Sequence, residues 1–218
     1  IGNGAAGIGV EDGAVAKIVG NLCKGNKSAG IGIRQHAEAT VINNRILDNG
    51  SVAIGVRNDS KIIAEKNTLS RKGGMPPLIA ILDNSQATLI DNDLSGGGVA
   101  GVLLQGNATV KNNRFHGNGP RKGGPPNFAI WVREGSEVTF SDNQVKGWRH
   151  ALFASKAKQV TANDNQVRAF LGTALVIRDS EKPTTAKGNR VFTDDPKAQA
   201  IEISRPTAIV TGNQVDKN

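Results

Sequence analysis

The stretch "AIWVREGSEVTFSDNQV", from Ala129 to Val145, contains every part of a structural unit that recurs along the chain. "AIWV" and "EVTF" show the period-two alternation that is typical of a β-strand. The charged and small residues of "REGS" between them are typical of a turn. An Asn and a short apolar stretch, "NQV", follow. The stretch therefore predicts a strand, a turn, a second strand, a corner and a short third strand.

The corner, an Asn followed by any residue and then an apolar one, occurs nine times at a mean spacing of 24 residues. The residues three positions before each Asn and two positions after it are apolar in all nine units. A repeat of this length predicts coils that stack and bury their apolar side chains against each other. The nine corner residues are Asn21, Asn44, Asn67, Asn92, Asn113, Asn143, Asn165, Asn189 and Asn213.

Each coil is predicted to place its three strands parallel to those of the next coil, about 4.8 Å away. Among residues other than Gly, Asn tolerates the left-handed backbone conformation best, so we expect the corner Asn itself to adopt it. Stacked Asn side chains can also hydrogen-bond to each other as a ladder. The pattern therefore predicts an all-β solenoid.

These repeats resemble the right-handed parallel β-helix superfamily, the pectate-lyase-like fold, over the whole chain. The resemblance implies a right-handed parallel β-helix of about nine coils, three strands per coil and an Asn ladder. A leucine-rich repeat is a weaker alternative because its Leu-rich consensus is missing. The sequence begins inside a coil and stops just after a corner. We therefore expect residues 1–218 to be a single β-helix domain of a longer protein, with a neighbouring domain or subunit at the uncapped ends.

In relatives of this fold, substrates usually lie along the sheet that the first strands form. In coils one to three, the outward position of these strands is Gly, which makes a flat floor that a ligand can approach closely. In coils five to eight the same position predicts an exposed apolar strip, which is either a sugar-stacking platform or a surface covered by another part of the protein. That strip consists of Leu103, Trp131, Phe153 and Val176.

Two similar loops, "RKGGMPP" at residues 71–77 and "RKGGPPN" at residues 121–127, precede the first strands of coils four and six. They are expected on one edge, about 10 Å apart, because two coils separate them. Such loops offer cationic and backbone N–H donors to an anion, although basic surface loops also serve solubility alone. The ligand-binding residues predicted from the loops and the sheet are Arg71, Lys72, Arg121, Lys122, Trp131, Arg133, Trp148, Phe153 and Arg178.

The formal net charge of +8 favours a polyanionic partner. An acidic polysaccharide ranks first, and nucleic acid ranks below it because no nucleic-acid-binding motif is present. The longest apolar runs are too short to span a membrane, so no membrane partner is expected. The single Cys23 excludes an internal disulfide framework and falls in a core column, which predicts an inert buried thiol. An extracellular, cell-surface or periplasmic location is expected.

Four residues are catalytic candidates. Asp83 and Glu134 occupy equivalent turns two coils apart, which is at or beyond the carboxylate separation of an inverting glycosidase. For a polysaccharide lyase, Arg133 with Lys156 or His150 would supply the base. The motifs by which the superfamily's polygalacturonases and epimerases are known are absent, and no cluster of acids predicts a calcium site. We therefore expect no metal or cofactor.

Three functional hypotheses stay open at this point. The leading one is a module that binds an extended, acidic polysaccharide along the first sheet at coils four to eight. The second is a polysaccharide lyase or other carbohydrate-active enzyme on the same face. The third is a non-catalytic structural module that uses the apolar strip as a protein interface.

Overall fold

The computed structural model of the chain describes residues 1–205 and 207–217. These residues contain 27 β-strands and no α-helix, and each coil contributes one strand to each of three parallel sheets. Within them, no helix is long and apolar enough to cross a membrane. The predicted all-β solenoid of about nine coils is confirmed.

The first sheet contains nine strands: β1 (Ile8–Val10), β4 (Ile31–Ile33), β7 (Ile54–Val56), β10 (Ile79–Ile81), β13 (Ala100–Leu104), β16 (Phe128–Val132), β19 (His150–Ser155), β22 (Thr173–Arg178) and β25 (Gln199–Ser204). The second contains β2 (Val15–Val19), β5 (Glu38–Ile42), β8 (Lys61–Glu65), β11 (Gln86–Ile90), β14 (Asn107–Lys111), β17 (Glu137–Ser141), β20 (Gln159–Asn163), β23 (Thr184–Lys187) and β26 (Ala208–Thr211). The third contains β3 (Leu22–Lys24), β6 (Arg45–Leu47), β9 (Thr68–Arg71), β12 (Asp93–Gly96), β15 (Arg114–His116), β18 (Gln144–Lys146), β21 (Gln166–Arg168), β24 (Arg190–Phe192) and β27 (Gln214–Asp216).

The registers of the sheets place the predicted columns directly above one another. In the second sheet Leu89 pairs with Val110, which pairs with Phe140, and all three are fully buried. Because the core is only one coil wide, small and β-branched side chains fill most of it. In the final coil, Val210 and Val215 occupy the same inward columns but are 50% and 53% exposed. A neighbouring domain or subunit packed against the terminal coils stays a prediction.

A continuous Asn ladder runs along one corner from Asn21 to Asn213, as the sequence predicts. The backbone N–H of each Asn donates to the side-chain Oδ1 of the next Asn at 2.8–3.1 Å. From Asn44 onward, each side-chain Nδ2 also donates to a core-strand carbonyl of the preceding coil at 2.8–2.9 Å. The buried amides are therefore satisfied, and they tie each coil to both neighbours.

The predicted backbone conformation of the ladder residues is wrong. The residue immediately before each ladder Asn has the positive φ, for example 54° at Asn43 and 56° at Asp91, and the ladder Asn does not. The left-handed residue turns the chain, and this lets the following Asn point into the core, where its side chain reaches both adjacent coils. The corner therefore needs two residues with separate roles.

A second, shorter ladder lies where the chain returns to the first sheet. The N–H of Asn3 donates to Oδ1 of Asn26 at 3.0 Å, and the N–H of Asn26 donates to Oδ1 of Asn49 at 3.0 Å. Sequence reasoning missed this ladder, although its spacing of 23 residues was visible. It ends at Asn49, whose backbone carbonyl accepts a hydrogen bond from Arg71 at 2.7 Å.

Candidate functional site

Four rings gather on the outward side of the first sheet in coils six and seven. We call Phe128, Trp131, His150 and Phe153 the aromatic cluster. Phe128 stacks on Phe153 with ring centroids 4.7 Å apart and planes 12° apart, and it meets Trp131 edge-on at 5.7 Å. The strand alternation is interrupted at the start of β16, where Ala129 and Ile130 are both fully buried while Phe128 contacts the outward rings.

Two exposed arginines lie against this cluster. The guanidinium of Arg133 is 4.9 Å from the ring centroid of Trp131, and that of Arg178 is 5.8 Å from that of Phe153. Glu202 in the next coil accepts hydrogen bonds from Nε and Nη2 of Arg178 at 2.9 and 2.8 Å. The rings and Glu202 restrict both guanidinium groups, which lowers the entropy that either loses on binding a ligand.

His150 is half-buried between Phe128 and Phe153, at centroid distances of 5.2 and 5.9 Å. Its Nδ1 lies 2.6 Å from the carbonyl oxygen of Thr173. Burial lowers the pKa of His150, and the charge of Arg149 lowers it further, while the hydrogen bond to Thr173 opposes them. The imidazole is therefore neutral at pH 7, with its proton on Nδ1 because a carbonyl oxygen can only accept.

The positive charge of the protein is concentrated in these coils. Residues 114–178 contain ten Lys and Arg against four Asp and Glu, so they carry a net charge of +6 out of the total of +8. The four acids, Glu134, Glu137, Asp142 and Asp164, lie at turns or on the second sheet. Two of them form ion pairs there, Glu137 with Lys158 at 2.9 Å and Asp142 with Lys111 at 3.9 Å. The outward face of the first sheet in this segment carries no acid.

Residues 1–145 and residues 74–215 match the model of the right-handed β-helix region family. The chain belongs to the right-handed β-helix family. Comparisons with curated proteins and with solved structures find no match. Membership explains the repeats and the ladder, but it names no ligand, because one fold hosts many functions.

The two similar loops of this β-helix differ in structure. Arg71 is the last residue of β9 and is only 8% exposed. Its Nη2 donates to the carbonyls of Asn49 at 2.7 Å, Gly50 at 3.2 Å and Ser51. Burial lowers the pKa of Arg71, with the charge of Asp48 opposing it. The prediction that Arg71 meets a ligand is therefore wrong, because carbonyls of the preceding coil take up its guanidinium.

The neighbouring Lys72 is exposed, and its backbone N–H donates to Oδ1 of Asp48 at 3.0 Å. In the second loop Arg121 and Lys122 are both exposed. Arg149 holds that loop through its Nε, which donates to the carbonyl of Arg121 at 2.7 Å, and through its Nη2, which donates to that of Gly123. Sequence reasoning passed over Arg149, whose partners lie more than 25 residues earlier in the chain.

Trp148 is only 1% exposed, so the prediction that it stacks on a ligand is also wrong. Its ring fills space that two glycines leave free, since a Cβ on Gly97 or Gly117 would lie 2.8 or 2.9 Å from it. The predicted apolar strip is likewise not an exposed patch. Val176 is 2% exposed, and Leu103, Trp131 and Phe153 are half-buried. The hypothesis of a protein interface on this strip rested on its being an exposed apolar patch, and the structure does not show such a patch there.

The two turn carboxylates, Asp83 and Glu134, line one shallow hollow of about 390 Å³ together with Lys158. The hollow lies on the turns between the first and second sheets, and no residue of the aromatic cluster lines it. Among the residues that the structure describes, no group of three or more His, Cys, Asp or Glu is arranged to hold a metal ion. The buried Cys23 also has a raised pKa because of its burial.

A longer hollow of about 670 Å³ runs over the second sheet and is lined mainly by Thr, Ala, Gln and Asn. Its charged residues are held in ion pairs, Lys61 with Glu38 at 2.9 Å and Glu137 with Lys158, which lies outside the hollow, at 2.9 Å. It contains no aromatic residue. On the third sheet, the guanidinium groups of Arg168 and Arg190 lie 3.6 and 5.4 Å from the ring centroid of Phe192. The first sheet differs in that its two arginines lie against a cluster of four rings.

Proposed function

We propose that this β-helix binds an acidic polysaccharide on the outward face of its first sheet, around coils six to eight. The observation that carries the proposal is the placement of Arg133 and Arg178, each exposed and each against a ring of the aromatic cluster. These two arginines, Trp131 and Phe153 come from the ligand-binding set predicted from the sequence. As part of this proposal, the protein acts outside the cell or at the cell surface.

The two arginines lie on the same column, two coils apart, which corresponds to about 10 Å along the helix axis. A guanidinium group can bind a carboxylate or a sulfate through two parallel hydrogen bonds. A linear polymer that carries one acidic group on each sugar can therefore meet both arginines at once. The half-buried edges of Trp131 and Phe153 offer apolar contact to the sugar rings between the charges.

Arg121 and Lys122 extend the charged surface over the loop edge. They need no rearrangement to do so, since Arg149 already holds the main chain of their loop. We expect them to contribute to the rate and the salt dependence of association more than to the contacts in the final complex, because they are exposed and flexible.

Calorimetric titration with oligogalacturonate, sulfated heparin oligosaccharides, a neutral glucan and single-stranded DNA tests the proposal. The first or the second ligand is expected to bind, with an affinity that falls as salt increases, and the neutral glucan is not. Arg133→Ala is expected to weaken binding about tenfold, which is about 1.4 kcal/mol. Arg45→Ala is the matched control, because Arg45 is an exposed strand arginine on the third sheet.

Equal affinities in Arg133→Ala and Arg45→Ala would show that only net charge matters and would end the proposal. Equal or tighter binding of single-stranded DNA would indicate nucleic acid as the partner. If none of the four ligands binds, the proposal is contradicted as well.

One observation favours a second candidate, a lyase on the same face. The neutral imidazole of His150 keeps its Nε2 free of a proton, so it is able to accept one from the sugar carbon next to a carboxylate. In such an elimination the C–H and glycosidic C–O bonds break, a C=C bond forms, and the leaving oxygen takes up a proton. Arg178 or Arg133 would neutralise the carboxylate.

The lyase candidate predicts an unsaturated product that is detectable by its ultraviolet absorbance. His150→Gln is expected to abolish its formation while oligogalacturonate still binds. Binding without product in the unchanged protein would leave a non-catalytic binding module.

A further inference from the structure

A second groove of about 400 Å³ lies on the first sheet at coils one to four, away from the aromatic cluster. Its floor is the outward column Gly9, Gly32, Gly55 and Ala80. One wall is made of small residues from the chain that enters each first strand, such as Ser28 and Ser51. The opposite wall contains Glu11, Arg34 and Arg57.

The packing of the coil does not explain the glycine at the centre of this floor. A Cβ placed on Gly32 meets no atom within 4 Å, and its φ lies outside the left-handed region. Glycine in the middle of a strand costs roughly 0.5–1 kcal/mol relative to Ala. The bare backbone is therefore unfavourable for the strand itself, but it opens the groove to close approach by a ligand.

The charged wall has one arginine, Arg57, that is available to a ligand. Arg57 is exposed and makes no ion pair within residues 1–205 and 207–217. Arg34 is held by Glu11, with its Nη2 2.6 Å from the carboxylate, but its Nε is buried without a hydrogen-bond partner among the described residues. The groove therefore combines a floor of small residues with one unpaired arginine, Arg57, beside the Arg34–Glu11 ion pair on a single wall.

A peptide is a poor fit to this groove. The groove runs across the coils, and the backbone N–H and C=O groups of the strands beneath it already pair with the neighbouring strands. The amides of an extended peptide lying along the groove would find no ladder to join. A sugar chain has no such requirement, because its C–H faces can lie on the floor while its hydroxyl and acidic groups reach the walls.

We infer that the glycine-floored groove is a second subsite for the acidic polysaccharide, with a sugar ring over Gly32 and a carboxylate or sulfate at Arg57. This inference rests on the proposed function, since it assigns a further site to the same ligand. Gly9 in coil one and Phe153 in coil seven are six coils apart, roughly 29 Å along the axis. A long chain therefore reaches both subsites, and a short one occupies only one of them.

The test compares a tetrasaccharide with a dodecasaccharide, using oligogalacturonate and heparin oligosaccharides to separate carboxylate from sulfate. The dodecasaccharide is expected to bind the unchanged protein at least about tenfold more tightly. Gly32→Leu fills the groove without a predicted main-chain clash and is expected to remove most of that advantage. Arg57→Ala is expected to act in the same direction. Neither is expected to alter tetrasaccharide binding at the aromatic cluster.

Thr68→Leu is the matched control, because it adds the same side chain to an exposed strand position of the third sheet in coil three. A urea midpoint that is unchanged or higher in Gly32→Leu would show that the coil is intact. The inference is overturned if Gly32→Leu binds the dodecasaccharide as the unchanged protein does, or if it weakens both oligosaccharides equally. If Arg133→Ala still weakens tetrasaccharide binding in the first case, the proposed function survives without this subsite.

Discussion

Replacing Asn143 by Ala tests whether the buried ladder holds the coils together. The side chain is fully buried, and its Oδ1 accepts from the backbone N–H of Asn113 at 2.9 Å. Its Nδ2 donates to the carbonyl of Val110 at 2.9 Å and to Oδ1 of Asn165 at 3.0 Å. The substitution leaves one backbone N–H and one backbone carbonyl buried without these partners. At about 1–3 kcal/mol for each of these two groups, we expect a loss of roughly 2–6 kcal/mol.

Urea unfolding followed by far-ultraviolet circular dichroism measures this loss. Gln144→Ala is the matched control, because Gln144 is the next residue in the chain and is exposed on β18. Its free energy of unfolding should change by no more than about 0.5 kcal/mol. A loss in Asn143→Ala as small as that of the control would show that the ladder amides contribute little, and the structural argument for the corner would be wrong.

Three further outcomes are expected. Arg71→Met should lower the free energy of unfolding by about 2–3 kcal/mol, because carbonyls of the preceding coil lose a charged donor. Lys72→Met is the control and should not lower it. Equal urea midpoints in the two variants would contradict the stabilising role of Arg71. Trp148→Ala should lower the free energy of unfolding by about 3–5 kcal/mol in the same assay. Trp131→Ala should lower it less and should weaken glycan binding. The reverse pattern would contradict a buried Trp148 and a ligand-facing Trp131. Because burial lowers the pKa of His150 in the folded protein, the unfolded chain takes up a proton on this residue at a higher pH than the folded protein does. The free energy of unfolding should therefore fall as the pH drops below about 6.5. His150→Gln should lessen that fall, and a pH profile that the substitution leaves unchanged would refute this prediction.

The fold was predictable because its determinants repeat within each coil. Apolar columns and a corner Asn every two dozen residues are visible without any knowledge of distant contacts. The position of the left-handed residue was harder to predict, since Asn43 and Asn44 are adjacent and only the structure shows which one turns the chain. The ladder through Asn26 and Asn49 repeats at the same spacing and was open to discovery.

The candidate site was predictable only in part. Trp131, Phe153 and the two arginines lie in the outward columns that alternation assigns to them. The burial of Arg71 depends on carbonyls about 20 residues earlier in the chain, and that of Trp148 depends on gaps left by Gly97 and Gly117. Contacts between loops of different coils carry no periodic signal, so two loops of nearly equal sequence acquire different roles.

The central claim is that an acidic polysaccharide lies against Trp131, and acrylamide quenching of tryptophan fluorescence tests it most directly. The protein has two tryptophans, of which Trp131 is half-buried and Trp148 is 1% exposed, so the quenching reports mainly on Trp131. Saturating oligogalacturonate or heparin oligosaccharide should reduce the quenching constant, and the reduction should disappear in Trp131→Phe. A ligand that binds by calorimetry and leaves the quenching of Trp131 unchanged would place the polysaccharide elsewhere and contradict the account.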